Sequence, residues 1–558
     1  MQDYKKAIKN DTTLLIQVIK NLSHLHEVTV DSVNKVMFKD ASKSVGIFSK
    51  STLLEAFRNF KEKGLISLTP DEEKTFLSAV RMKKVRTLSG VTPVTVLTKP
   101  FYCPGNCIFC PKDAQMPKSY LSSEPGAQRA LANKFDPYLQ TYNRLCAYHG
   151  IGHPTDKIEL IILGGTWSTY DEDYQRFFIK RCFDALNDFD GEKSRESLDP
   201  DTYAKDVEKV SWEDIKKAHI LNETAHSRCV GLVVETRPDA LDEEEVERIR
   251  RFGATKVQIG IQSLDDRVLE LNKRGHNAKT TQTAIELLRL AGFKIHAHWM
   301  PNLYGSNPKK DVKDYKRLFS EKYRPDELKI YPCSLLDSAE LMDYYKKGLW
   351  KPYTEEELMY VLERVMVMTP RYNRITRVVR DISSTDIVAG NKKTNFRQLV
   401  QNKIKDDGKK IVEIRSREVR GKKTISDNLI LKVNKYKTTV STEYFLEYIT
   451  KEDDIAGFLR LSLPTIQPLI AELKDSAMIR EIHVYGQSLE IENDLDTGQN
   501  LGATQHKGLG KNLIQKAIDI SNEHGYQKLS VISSIGTRKY YRDRGFSDGD
   551  LYQVMDLE

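Results

Sequence analysis

Over the first 80 residues, apolar positions recur every three or four residues. LLIQVIKNL (14–22) and STLLEAFRNFKEKG (51–64) show it most clearly, with charged residues filling the other positions. That period predicts amphipathic helices. From VTPVTVLT (91–98) the pattern changes to short apolar runs that each end in Gly, Pro or polar residues: IELIILGG, CVGLVVETRP, KVQIGIQS, FKIHAHWMP and ELKIYP. Helical stretches such as DEEEVERIRRFG and TTQTAIELLRLAG separate them. This βαβα alternation, sustained to about residue 370, predicts an α/β fold with a parallel sheet closed into a full or partial barrel. In such a fold ligands sit at the C-terminal ends of the strands, where the polar residues cluster.

Two polar stretches interrupt the rhythm. Residues 188–217 read as an inserted surface loop with a helix, and 401–424 (QNKIKDDGKKIVEIRSREVRGKKT) as part of an inter-domain connector. From about 425 the runs DNLILKV, AGFLRLSL, MIREIHVYG and KLSVISS predict strands around one helix, KNLIQKAIDISNEHG. The expected organisation is a helical region at 1–80, a barrel at 81–370, a linker at 371–424 and a second α/β domain at 425–558.

Composition narrows the class. The 558 residues are 39% hydrophobic and 30% charged, too many for one core and ordinary for a soluble multidomain protein. A net charge of +8 is mild at this length, so it matters only where cations cluster, as in RMKKVRTLSG (81–90). Seven cysteines, an odd number and mostly scattered, make no disulfide framework, and a reducing cytoplasm is the expected setting. No run approaches the roughly 18 apolar residues of a membrane span.

Three of the seven cysteines, Cys103, Cys107 and Cys110, fall in one loop after a predicted strand, spaced C-x3-C-x2-C. Thiolates at that spacing can converge on one metal centre. Two readings fit: zinc with Cys146 or His149 as fourth ligand, or a [4Fe–4S] cluster with one iron left open. LGGTW (163–167) ends the next predicted strand, where Gly164 and Gly165 let backbone approach a ligand. Glu235 and Arg237, and Gln258 and Gln262, also fall near strand ends; each is as compatible with a buried structural role as with ligand binding. Far downstream, QHKGLG (505–510) precedes a helix, and Gly508 and Gly510 permit a turn that aims backbone N–H groups at a pyrophosphate.

The cysteine spacing resembles the radical S-adenosylmethionine (SAM) superfamily, in which three cysteines hold a [4Fe–4S] cluster whose open iron chelates SAM. The stretch REIHVYG, QHKGLG and GTRKYYRDRGF resembles the acetyl-CoA core of Gcn5-related N-acetyltransferases. Together with RTLSGVTPVTVLTKP, YLSSEPGAQRA, LGGTW, CVGLVVETRPD, NKRGH and ELKIYP, in that order over residues 80–558, they resemble the catalytic subunit of Elongator. That resemblance implies a partial radical SAM barrel fused to an acetyltransferase-like domain, forming 5-carboxymethyluridine at the wobble position of tRNA. It implies SAM contacts from Gly164, Gly165, Glu235 and Gln258. It implies acetyl-CoA contacts from Lys157, Glu481, Ile482, His483, Val484, Leu509, Gly510, Lys511 and Tyr541, with Tyr540 and Tyr541 as candidate catalytic groups. Lys83, Lys84 and Arg86, with the N-terminal helices, are the expected tRNA phosphate contacts. The anticodon loop is the expected partner; a homodimer and further Elongator subunits are both compatible with the sequence. Eukaryotic members widen the gap between the first two cysteines, unlike this chain. Some members also carry extra cysteines for a zinc site where this chain has VEIRSREV (412–419), so no structural zinc is expected there. Radical methyl or methylthio transfer, and lysine N-acetylation, are the alternatives.

Overall fold

The computed structural model describes residues 2–39, 48–81, 90–191, 196–419, 429–485 and 508–558. The N-terminal region is four helices, α1 (Gln2–Ser23), α2 (Val30–Lys39), α3 (Lys50–Glu62) and α4 (Pro70–Val80). Their apolar stripes close a small core of their own around Leu15, Ile19, Leu53, Phe57, Phe60 and Phe76. A capping box between Thr69 and Glu72, with Pro70 in the first turn, starts α4. Arg58 Nη2 and Arg81 Nε donate to the carbonyls of His149 and Gly152 at 2.6 and 2.9 Å, tying this bundle to the barrel.

The expected parallel sheet is present. Strands β1 (Thr92–Leu97), β2 (Lys157–Leu163), β3 (Arg228–Thr236), β4 (Lys256–Gln262), β5 (Lys294–Trp299) and β6 (Glu327–Ile330) lie in sequence order, every pair parallel. The strand Leu335–Leu336 (β7) pairs with Ile387–Ala389 (β9) in a small ribbon, while β8 (Arg374–Val378) adds to β6 as the seventh parallel strand. The result is a half-barrel. Its central strands alternate between two faces. Val257, Ile259 and Ile261 of β4, Ile295, Ala297 and Trp299 of β5, and Leu328 and Ile330 of β6 enter the core under the helices. By the two-residue strand period, Lys256, Gln258 and Gly260, His296 and His298, and Glu327 and Lys329 face the other way, into the lumen.

Two boundaries differ from the sequence expectation. The barrel does not end at 370, because β8 belongs to its sheet and the helix Phe396–Asp406 packs Phe396, Val400 and Ile404 into the same core. Nor are residues 371–419 a free linker. Arg371 pairs with Glu447 and Asp453, Arg417 with Glu447, and Arg374 with Glu418. The charges of this connector enter ion pairs, Arg371 and Arg417 with the C-terminal domain and Arg374 with Glu418 within the segment itself.

The C-terminal sheet runs β10 (Ile430–Lys437), β11 (Ser441–Ile449), β12 (Ile455–Pro464), β13 (Ser476–Val484), β14 (Lys528–Val531), β16 (Gln553–Asp556) and β15 (Ser547–Asp548), antiparallel except for β13 with β14. It seats against the N-terminal ends of the barrel strands. Arg480 of β13 donates to both oxygens of Asp326 at 2.8 Å and to Phe293 O at 2.9 Å. Ser534 Oγ donates to Cys229 O at 2.7 Å, and Tyr552 OH to Ala291 O at 2.8 Å. A side chain at Gly536 would lie 2.7 Å from Arg228 Cβ and 3.0 Å from Cys229 O, so only glycine allows this approach. Met478, Ile532, Ile535 and Tyr552 join the barrel's core, which is therefore shared between the domains. No helix among the described residues is long and apolar enough to cross a membrane.

Burial acts to raise the Asp326 carboxyl, but the charges of Arg480 and Arg460 outweigh it and hold the group below the usual carboxylate range. Its stabilising contribution is therefore complete above the ordinary aspartate value and fades as pH falls through the depressed one. Asp326→Asn removes a counter-charge shared by two buried arginines, leaving Arg480 only Glu443 and Arg460 only Glu481, and is expected to lower stability by about 3–5 kcal/mol, read by chemical denaturation. A loss below about 1 kcal/mol would contradict the assignment of Asp326 as the interdomain anchor.

Candidate active site

Beyond β1 the chain forms the loop that carries the three cysteines. Ile108 N donates to Asn272 O at 3.2 Å, Leu341 N to Ile108 O at 2.8 Å, and Lys112 N to Ser338 Oγ at 3.1 Å, pinning the loop across the C-terminal ends of the strands. Cys103, Cys107 and Cys110 all line one cavity there, with Gly165, Thr166, Glu235, Gln262, Arg237 and Arg274 among the other walls. Cys146 and His149 are not in that lining. They sit on the helix Pro137–Gly150, where burial pushes the Cys146 thiol up to about 11. The zinc reading loses its fourth ligand by this placement. Among the described residues no three His, Cys, Asp or Glu side chains close on a single metal ion. The three thiols instead share the wall of a wider space.

The electrostatics of that wall are cationic. Arg274 Nη1 donates to Cys107 Sγ at 3.5 Å, and Arg274 also bonds Gly260 O. Arg237 is fixed by Asp239 at 2.9 and 2.7 Å and by Arg274 O at 2.6 Å, yet its buried Nη1 has no partner among the described residues. Cys110's hydrogen bond, with the charges of Arg274 and Arg237, pulls the Cys107 thiol well below its usual range. Two buried guanidinium groups beside soft thiolates are the complement a three-cysteine [4Fe–4S] cluster requires, since three thiolates make that assembly anionic. A side chain at Gly105 would lie 1.9 Å from Arg237 Nη1, so the glycine keeps the loop against the arginine.

Gly164 and Gly165 follow β2 with φ of +134° and +95°. Thr98 Oγ1 donates to Gly164 O at 3.1 Å, and a Cβ on Gly164 would stand 1.9 Å from that hydroxyl and 3.0 Å from Thr98 N. Gly165 lines the cavity and Gly164 supports it from behind. Glu235 also lines it, its Oε2 accepting from Tyr120 OH at 2.8 Å. Gln258 does not reach the cavity. It lies four residues lower on the same face of β4 as Gln262, and its Oε1 is taken by His298 Nε2 at 3.1 Å and by Lys329. Strand period alone could not choose between the two glutamines; height along the strand decides it for Gln262.

The second constellation lies at the other end of the half-barrel. β13 pairs with β14 only from Ser476 to Ile479, and among the described residues it then runs on to Val484 unpaired on that side. The two strands thus splay, and Glu481–Val484 border the gap. Gly508, with φ +99°, starts the helix Leu509–Glu523, whose first N–H groups have no partner within the helix. Gln505, His506 and Lys507 of the glycine motif lie outside the described residues, as do Lys83, Lys84 and Arg86. Gly510 packs against Tyr540, whose hydroxyl would be 2.4 Å from a Cβ there. Arg544 lies over the Tyr540 ring, 3.5 Å from its centroid. Tyr541 is buried in the domain core against Tyr540 and Phe546, and burial drives its phenol above the ordinary range. That environment suits packing better than proton transfer. Lys157 begins β2, at the end of the barrel facing this domain and away from the cysteines.

Residues 99–318 match the Radical SAM superfamily, and residues 325–406 match the Radical_SAM C-terminal domain. A tRNA uridine(34) acetyltransferase of Methanocaldococcus jannaschii is 38% identical over 506 residues, 88% of this chain and 89% of that protein. Elongator complex protein 3 of Danio rerio is 32% identical over 568 residues, 97% and 96% of the two chains. The solved structure of the archaeal Methanocaldococcus infernus Elp3 with N-terminus deletion (1–46) matches 84% of this chain and all of its own, at 35% identity and a TM-score of 0.69. The chain belongs to the Elongator complex protein 3 family. Its radical SAM membership brings a [4Fe–4S] cluster and SAM as cofactors, and the cysteine cavity has the donor set for the cluster.

The motifs NKRGH and ELKIYP contain Arg274, Glu327 and Lys329, but sequence reasoning gave these residues no site role, and Lys256, Lys294 and His298 are single polar residues at the start of or within apolar runs. The available signal was polar residues at alternate positions in strands that a packed barrel would fill with branched apolar ones.

Gly164→Ala forces a side chain into a glycine-only conformation and against Thr98, a strain of about 1–3 kcal/mol. In reconstituted protein it is expected to weaken SAM binding about tenfold, measured by equilibrium dialysis. Wild-type affinity would contradict a supporting role for this turn.

Proposed function

We propose that this protein modifies the wobble uridine, position 34, of tRNA, taking a two-carbon unit from acetyl-CoA to form 5-carboxymethyluridine. The observation that carries this reading is that a cysteine cavity and a splayed acetyl-CoA-type strand pair occupy the two ends of one half-barrel. In this reading Cys103, Cys107 and Cys110 hold the cluster, and Gly164, Gly165, Glu235 and Gln262 shape the SAM site beside it. When bound, the cluster and SAM supply a 5′-deoxyadenosyl radical able to take a hydrogen atom from the acetyl methyl group. Arg237 and Arg274 balance the charge of the thiolates, and the buried walls around them exclude water from a reactive carbon.

At the other end, the free edge of β13 from Glu481 to Val484 receives the pantetheine chain. The first N–H groups of the helix at Leu509, Gly510 and Lys511 receive the pyrophosphate. Lys157 approaches the cofactor from the barrel. The N-terminal bundle and the basic segment with Lys83, Lys84 and Arg86 hold the anticodon arm, whose uridine must leave the stack to reach the cavity. With tRNA as substrate, the cytoplasm is the expected location.

A lysine N-acetyltransferase would need an open acceptor face beside the thioester and a carboxylate free to act as base. Here Glu481 is engaged by Lys294 and Arg460 at 2.6 and 2.8 Å. Burial acts to raise its carboxyl, yet the charges of Lys294 and Arg460 hold it below the usual range. The barrel covers that face of β13, so the acetyl end points toward the lumen and not to an external amine.

Anaerobic reconstitution with iron and sulfide, followed by reductant, SAM, acetyl-CoA and unmodified tRNA, is expected to yield 5-carboxymethyluridine by nucleoside mass spectrometry. Methylated or methylthiolated nucleosides in its place would overturn the reading. Cys107→Ser is expected to abolish the cluster's visible absorbance and deoxyadenosine release while leaving acetyl-CoA affinity within about threefold; undiminished deoxyadenosine would refute the cluster assignment.

A further inference from the structure

Six charged side chains cross the floor of the half-barrel in strictly alternating sign. Arg460 Nε lies 2.8 Å from Glu481, and Glu481 lies 2.6 Å from Lys294. Lys294 is 3.8 Å from Glu327, Glu327 is 3.3 Å from Lys256, and Lys256 is 2.6 Å from Glu159. The string starts in β12 of the C-terminal domain and ends in β2 of the barrel. Barrel interiors are normally filled by branched apolar residues, and buried ion pairs return little net stability for their desolvation. A charged floor at the junction of two active elements therefore calls for a role other than packing.

Each carboxylate that Lys294 meets has a second cation: Glu481 has Arg460, and Glu327 has Lys256. Lys294 can thus swing away without leaving either carboxylate alone. Its side chain also keeps 18% exposure, against 8% for Lys256 and 1% for Arg460. It touches β13 at Glu481, just past Ile479, where the ladder to β14 ends. His483, the next residue on that face, has a buried Nε2 with no partner among the described residues. These groups stand at the start of the β13 segment assigned above to the pantetheine chain.

We infer that Lys294 binds the thioester carbonyl oxygen of acetyl-CoA at the floor of the half-barrel and stabilises the oxyanion formed when the thioester is hydrolysed. The inference rests on the proposed function and adds to it the residue that serves the acyl end. In that step the oxygen of water bonds to the carbonyl carbon, and the carbonyl oxygen takes up the negative charge facing the Lys294 ammonium. The carbon–sulfur bond then breaks, CoA leaves as the thiol with one proton from water, and the acid ionises and releases the other. Release of Lys294 from Glu481 also opens the floor between the acetyl-CoA groove and the lumen, while Arg460 keeps Glu481 neutralised.

The test uses full-length Lys294→Met and Lys294→Arg beside the wild type. With unloaded protein, calorimetric titration is expected to show wild type favouring acetyl-CoA over CoA, and Lys294→Met binding both alike. With reconstituted protein, tRNA-dependent CoA release is expected to fall about 100-fold in Lys294→Met, the usual effect of losing one oxyanion donor. Lys294→Arg should recover at least a tenth of wild-type turnover. Deoxyadenosine formed without tRNA and the thermal midpoint should stay unchanged in both variants. Wild-type discrimination and turnover in Lys294→Met would overturn the inference. So would a parallel loss of thermal midpoint and deoxyadenosine formation, which marks a structural latch. If wild type itself shows no tRNA-dependent CoA release, the proposed function fails first and the inference falls with it.

Discussion

Asp326 and Arg480 meet in a bidentate ion pair with neither side chain exposed, and the relation between the two large domains follows from it. Asp326 stands just before β6 and also accepts from the backbone N–H of Ile295 at 2.9 Å. Arg480 lies in β13 and also reaches Glu443 of β11. Arg460 approaches the same aspartate at 3.6 Å. One carboxylate therefore organises two buried arginines from neighbouring strands, and removing it would leave Arg480 only Glu443 and Arg460 only Glu481. The pair fixes β13 across the starts of β5 and β6, so the residues after it, Glu481 to Val484, have only one place to be.

That fixed placement makes the half-barrel a passage with two different ends. At the strand C-termini the cysteine loop forms a cationic, thiol-lined cavity. At the strand N-termini the splay of β13 from β14 opens beside the charged floor. Between them His296, His298, Gln258 and Lys329 line the lumen. Burial depresses both histidines well below their ordinary value and takes Lys329 down to about 8. The histidines are thus neutral at physiological pH, able to hold hydrogen bonds without adding charge to a radical pathway. Chemistry that begins at one end and draws its carbon from the other needs an interior of this kind.

Much of this was legible in the residues themselves, because its information is local. Three cysteines in eight positions, glycines after apolar runs, and a glycine turn before a helix each carry their meaning within one segment. The helices and most strands followed from period as well, although STEYFLEYI, which forms β11, was not among them. What could not be read was juxtaposition. Gln258 and Gln262 are equivalent by alternation and differ only in height. Tyr541 resembles a catalytic tyrosine in sequence but is buried against Phe546. The ion pairs that fix the linker segment could not be read because their partners, Glu447 and Asp453, are supplied by a different domain. Lys294 and Glu481 lie 187 positions apart, and only the docking set by Asp326 and Arg480 brings them together.

The central claim is that one half-barrel joins a radical source to an acetyl donor. Methyl-deuterated acetyl-CoA tests it most directly, in a single turnover of the reconstituted enzyme with SAM and unmodified tRNA. The mass of the 5′-deoxyadenosine released then reports where its hydrogen came from. The account predicts deoxyadenosine carrying one deuterium, formed in step with 5-carboxymethyluridine. Unlabelled deoxyadenosine beside labelled carboxymethyluridine would contradict it.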